Sequence, residues 1–120
     1  MVIHSYKDLL VWQRSIELVV EIYNLTDRFP KVEVYGLISQ MRRAAVSIPS
    51  NIAEGRLRGH RKEYLHFLLN AYGSGGELET QLEISKKLHF VTSIQSSKAE
   101  GLLVEVMKML NAIANKLRVS

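Results

Sequence analysis

The chain has 120 residues, 47% hydrophobic and 23% charged, with two prolines and a formal charge of +4. That composition fits one globular domain over residues 1–120 with no internal linker. There is no cysteine, which excludes disulfides and thiolate metal sites and makes a reducing cytoplasm the expected compartment. No apolar run reaches the length of a signal-peptide core or a membrane span, so neither a leader nor a transmembrane helix is expected.

Ser5 followed by Asp8 resembles a capping box and predicts a first helix over about 6–27, roughly 30 Å long. Its expected inward stripe is Leu9, Trp12, Ile16, Val19 and Tyr23, spaced by three and four. Trp12, the only tryptophan, is expected as a core or interface anchor. Pro30 closes this helix.

A second helix is predicted over about 34–57, starting between Lys31 and Leu37, with Ile38, Met41, Ala45, Ile48 and Ile52 inward. Pro49 stands in mid-pattern, where it removes a donor and crowds the carbonyl of Ala45. A new helix starting there would have Ile48 as a poor N-cap. One continuous helix kinked at Pro49 is therefore expected, with Ser47 and Ser50 as candidates to satisfy the carbonyls freed at the kink. Arg43, Ser47, Ser50 and Glu54 line another face of this helix, a polar stripe open to solvent or to a neighbouring helix. Gly59 is the expected C-cap.

The excess charge gathers here. Residues 42–62 hold Arg42, Arg43, Arg56, Arg58, Arg61 and Lys62 against Glu54 alone, a balance of +5, while ten basic and eleven acidic residues fill the rest. Such clustering is the footprint of phosphate binding; it is also what a solvated helix end favoured by the dipole looks like.

A third helix is predicted over about 60–88, with Tyr64, Phe67 or Leu68, Ala71, Gly75, Leu78, Leu82 and Ser85 inward and His60 with Glu63 in capping positions. The small residues Ala71, Gly73, Ser74, Gly75 and Gly76 in its middle point to close helix approach or a kink. A phosphate-cradling glycine loop does not fit, because no strand precedes them and the helical period runs through. His89 occupies the place of a C-terminal glycine. Thr92 and Gln95 form a capping box for a fourth helix over about 93–118, whose apolar stripe is wide enough to suggest a subunit interface. Four long helices with short connections predict an all-α, antiparallel up-down-up-down four-helix bundle.

Little in the chain points to catalysis. His4, His60, His66 and His89 are scattered, and Glu63 with His66 makes only one Glu-x-x-His fragment where di-iron bundles need two. No nucleophile motif is present. The expectation is no enzyme, no metal, no cofactor and no small-molecule substrate.

Several segments together resemble a known family: Leu10-Val11-Trp12-Gln13, Phe29-Pro30, Tyr35-Gly36-Leu37, Gln40 to Ala45, Ser47 to Gly55, and Ala71 to Ser74 followed by Glu77-Leu78. They are similar to the bacterial four-helix-bundle family of 23S ribosomal RNA intervening-sequence proteins, from about residue 6 to about residue 90. The resemblance implies a chain encoded within or outside a ribosomal RNA gene. It also implies an architecture similar to the accessory variability protein of diversity-generating retroelements, a pentameric ring that engages nucleic acid and a reverse transcriptase. It implies no catalytic residues, and marks Arg42, Arg43, Asn51, Glu54 and Arg56 as candidate binding positions.

Two functions compete on this basis. One is a homo-oligomeric, pentameric bundle binding ribosomal RNA or other nucleic acid through Arg56, Arg58, Arg61, Lys62, Arg42 and Arg43. The other is a protein-interaction scaffold or accessory subunit using the stripe Arg43, Ser47, Ser50 and Glu54.

Overall fold

The computed structural model describes residues 5–119; His4 lies outside them. Four helices make up the fold: α1 (Leu10–Thr26), α2 (Leu37–Arg58), α3 (Arg61–Lys87) and α4 (Ser93–Val119). Short 3-10 turns at Tyr6–Asp8 and Lys31–Glu33 precede α1 and α2, and no strand occurs among the described residues. Each helix packs on its chain neighbours and α4 closes back on α1, so the four form a ring around one core.

The first helix differs from expectation in its start and in its face. Ser5 does cap, but its hydroxyl accepts from Lys7 N at 3.1 Å and closes only the turn Tyr6–Asp8. Leu9 is extended, and α1 begins after it. Gln13 Nε2 reaches back to Lys7 O at 2.8 Å, and the Tyr6 ring meets Trp12 edge-on, fixing the turn against the helix. The buried stripe is Val11, Ser15, Leu18, Ile22, Leu25 and Thr26. Ile16 and Tyr23, expected inside, are exposed, and Leu9, Trp12 and Val19 pack at the core's edge. Apolar residues cover so much of α1 that two stripes satisfy the helical period; contact with both α2 and α4 selects the one at Leu18 and Ile22.

In α2 the whole predicted set, Ile38, Met41, Ala45, Ile48 and Ile52, is buried. The helix runs continuously through Pro49, which is itself buried. Ser47 has a different task from the one expected: its hydroxyl meets Ser74 Oγ across the α2–α3 seam at 2.8 Å, and Asn51 Nδ2 donates to Ser47 O and Oγ. Gly59 takes the left-handed conformation at φ 78° and ends α2.

The inward stripe of α3 matches the pattern, with Leu68, Ala71, Gly75, Leu78, Leu82 and Ser85 buried, joined by Gln81. Its glycines divide into two kinds. A Cβ on Gly75 would collide with the Met107 sulfur of α4, so that site needs glycine for close approach; around Gly73 and Gly76 there is open space. On α2, a Cβ on Gly55 would lie 2.8 Å from Phe67 Cβ and 3.3 Å from Tyr64 O, so α2 and α3 meet nearly backbone to backbone.

His89 does adopt a left-handed φ of 63°, and Phe90 then returns to stack near Phe29 at 5.5 Å. The α4 capping box is reciprocal: Gln95 N donates to Thr92 Oγ1 at 3.1 Å, and Thr92 N donates to Gln95 Oε1 at 3.0 Å. His60 precedes α3 without a side-chain cap. Across the α3–α4 seam, Lys86 Nζ binds Glu100 Oε1 at 2.8 Å, and Ser96 Oγ donates to the other carboxylate oxygen at 2.6 Å.

The glycines predict opposite mutational signs. Gly73→Ala stabilises by about 0.5–1 kcal/mol through helix propensity alone. Gly55→Ala destabilises by about 1–2 kcal/mol because Tyr64 O and Phe67 Cβ cannot retreat without moving α3. Gly75→Ala falls between, since the Met107 end can swing away. Urea unfolding midpoints check the order. The Lys86 hydrogen bond, then that of Ser96, holds the Glu100 carboxyl below its ordinary range. A carboxyl lowered by folding stabilises above its unfolded pKa and loses that contribution as pH falls through the folded value. The stability gap between wild type and Glu100→Gln is therefore largest near neutrality and closes on acidification, as urea titrations from pH 7 to pH 2 would measure.

Candidate nucleic-acid interface

The two-residue connection Gly59-His60 brings the last turn of α2 against the first turn of α3. A cleft of about 480 Å³ opens there, lined by Gly55, Arg56, Gly59, His60, Arg61 and Tyr64, with Leu117 of α4 completing it. Gly55 is the reason it exists, because a larger residue would push α3 and its arginine away. The Arg56 guanidinium lies over the Tyr64 ring, 5.9 Å from its centroid. Burial raises the Tyr64 phenol above its usual value, against the pull of Arg56, so it remains a neutral donor. α3 begins at Arg61, with Glu63 as the acid of its first turn; a helix start is a place that favours anions.

Leu117 carries Lys116 and Arg118 to the same end of the molecule. Sequence reasoning missed these two, which stand more than fifty positions from the turn. The available signal was their place in the last turn of the last helix, next to the α2–α3 connection once four helices close into a ring.

The six arginine and lysine candidates fall into different environments. Arg56, Arg61 and Lys62 are exposed around the cleft. Arg58 is ion-paired to Glu54 at 3.2 Å and to Glu63 at 3.6 Å, and stands over Phe67. Arg42 is bound to α1 and its end: Nε donates to Thr26 Oγ1 at 2.9 Å, and Nη2 to Asp27 at 3.0 Å and to Tyr23 O at 3.3 Å. It also covers the Tyr23 ring at 4.5 Å. Arg43 is exposed on the outer ridge of α2, with no hydrogen bond or ion pair among the described residues.

Of the polar stripe, Arg43 and Ser47 border a groove between α2 and α3 together with Tyr35, Ser74, Glu77 and Gln81. Ser50 is exposed, and Glu54 faces the basic turn through Arg58. Gln81 is 5% exposed, and its Oε1 is the single buried side-chain polar atom found without a partner among the described residues.

The model of the family described as 23S rRNA-intervening sequence protein matches residues 7–112. The chain belongs to that family. In structure it is similar to a protein of unknown function from the S23 ribosomal protein family of Bacteroides thetaiotaomicron. The two share 24% identity over 88% of this chain and 98% of that one, with a TM-score of 0.78, a likeness that speaks for the fold. No curated protein matches the chain.

In this family member, Glu63 and His66 do not act together: Glu63 pairs with Arg58, while His66 Nε2 lies 3.4 Å from Asn70 Nδ2. No three histidine or acidic side chains gather as a metal site among the described residues. No helix among them is long and apolar enough to cross a membrane.

The contacts of Arg42 mark it as a brace between α2 and α1. Arg42→Met should lower unfolding stability by about 1–2 kcal/mol, the scale of charge-assisted hydrogen bonds at a partly exposed site. It should leave affinity for nucleic acid unchanged. Chemical denaturation and a filter-binding titration on the same preparation check both halves.

Proposed function

We propose that this chain is a non-enzymatic bundle that binds structured RNA or duplex DNA through phosphate contacts and works as a homo-oligomer. The bundle is taken as antiparallel and up-down-up-down, with the axis of α2 bent at Pro49. The convergence of Arg56 and Arg61 with the last turn of α4 in one cleft carries this reading. Lys62, Lys116 and Arg118 extend the basic surface around it, and Arg58 would join only by exchanging Glu54 or Glu63 for phosphate. Family membership favours ribosomal RNA as the ligand, and the resemblance to a ring-forming accessory protein favours a pentamer. Repetition around a ring would turn a weak phosphate contact into useful avidity. The absence of cysteine accords with work in the cytoplasm. No reaction, cofactor or small-molecule substrate forms part of this reading.

A second reading, a protein-interaction scaffold, rests on the α2–α3 groove, where the buried Gln81 Oε1 lacks a donor and Arg43 and Glu77 lack ion-pair partners among the described residues.

The phosphate reading is tested by affinity for structured ribosomal RNA and for duplex DNA over a salt series. Wild type should bind with a steep negative dependence of log K on log salt. Changing Arg56, Arg61 and Lys116 to glutamate should weaken binding at least tenfold at low salt, and the slope should fall by roughly one for each phosphate that is no longer neutralised. No binding, or an unchanged slope, would overturn it; in light scattering of the Arg43→Glu variant, loss of the oligomer would favour a scaffold role for that face, and an intact oligomer with lost RNA binding would favour the phosphate reading.

A further inference from the structure

In a ring of four helices, the α1–α2 seam and the α3–α4 seam share no helix and lie across the molecule from one another. Both are open and apolar, with opposite charge at their rims. The first is a groove of about 510 Å³ in which Tyr23, Val34 and Val46 show 41%, 48% and 39% of their surface beside Arg42 and Arg43. The second is a groove of about 500 Å³ in which Ile84 and Leu88 are 43% and 52% exposed beside Glu79, Glu83 and Glu100, with Lys87 the one cation of its lining. Most rim charges are already balanced internally: Arg42 by Asp27, Glu83 by Lys86 and Lys87, Glu100 by Lys86. One on each side is not. Arg43 and Glu79 have no hydrogen bond or ion pair among the described residues.

We propose that these two seams are the two halves of one interface, the α1–α2 groove of one copy receiving the α3–α4 groove of the next. The partner is a second copy of this chain, because a single surface carries both an exposed apolar strip with an unpaired cation and its counterpart with an unpaired anion. Different patches meet in this contact, so it is head-to-tail. Each copy keeps one free half, and assembly continues until the rotation closes a ring. The apolar strips supply the area, and Arg43 against Glu79 of the next copy sets orientation. The inference rests on the homo-oligomer reading and adds which faces meet.

The test is sedimentation velocity of the full chain from low to high micromolar concentration, with circular dichroism to show that each variant folds. Wild type should sediment as an assembly. Arg43→Glu and Glu79→Arg should each weaken it at least tenfold, by placing like charges across the contact. The chain carrying both changes should assemble again. If wild type assembles and Glu79→Arg is without effect, or if the double variant stays dissociated, the proposed faces are wrong and the homo-oligomer stands. If wild type is monomeric throughout, both readings fall, and the seams belong to a different partner.

Discussion

The arrangement depends on how closely α2 and α3 approach. At Gly55 the two helices come within reach of each other's backbone, and only the lack of a side chain allows it. That approach places Arg56 over Tyr64, sets the two-residue turn at Gly59-His60 and aligns Ser47 with Ser74. The rest of the ring is more conventional: leucine, isoleucine and methionine side chains fill a core in which Leu18, Ile22, Met41, Ile48, Ile52, Leu68 and Leu110 are fully enclosed. Burying each such side chain contributes about 1.5–3 kcal/mol.

Charge is distributed by a similar logic. Cations far from the α2–α3 turn brace helices together, as Arg42 near the start of α2 does for α1 and Lys86 in the last turn of α3 does for α4. Around the α2–α3 turn the cations stand differently: Arg56 and Lys62 are exposed, and Arg58 is held by Glu54 and Glu63.

Much of this was legible in the sequence. The stripes of α2 and α3 could be read because polar residues separate their apolar positions and leave one face to choose. Thr92 with Gln95, Gly59 and His89 were readable as helix ends because each carries its own local chemistry. The face of α1 was not legible, since Leu10, Ile16, Val20 and Tyr23 are as apolar as the residues that are buried. The choice among them is made by α2 and α4, which lie far away in sequence. For the same reason the basic turn could be found from residues 56–62 alone, but not the role of Arg42, whose partners Thr26 and Asp27 sit at the end of another helix. Nor could the pattern separate Gly75, which admits Met107, from Gly73 and Gly76, which face open space.

The difference between the two close approaches has a mechanical consequence. At Gly55 the opposing atoms include a backbone carbonyl and a Cβ, which cannot move without moving their helix. At Gly75 the opposing atom is the thioether sulfur of a methionine, the most pliable of the apolar side chains. The bundle therefore has one stiff hinge line and one compliant one. Added bulk between α2 and α3 displaces a helix, whereas between α3 and α4 it is taken up by one side chain while Lys86 and Glu100 keep the two helices tied.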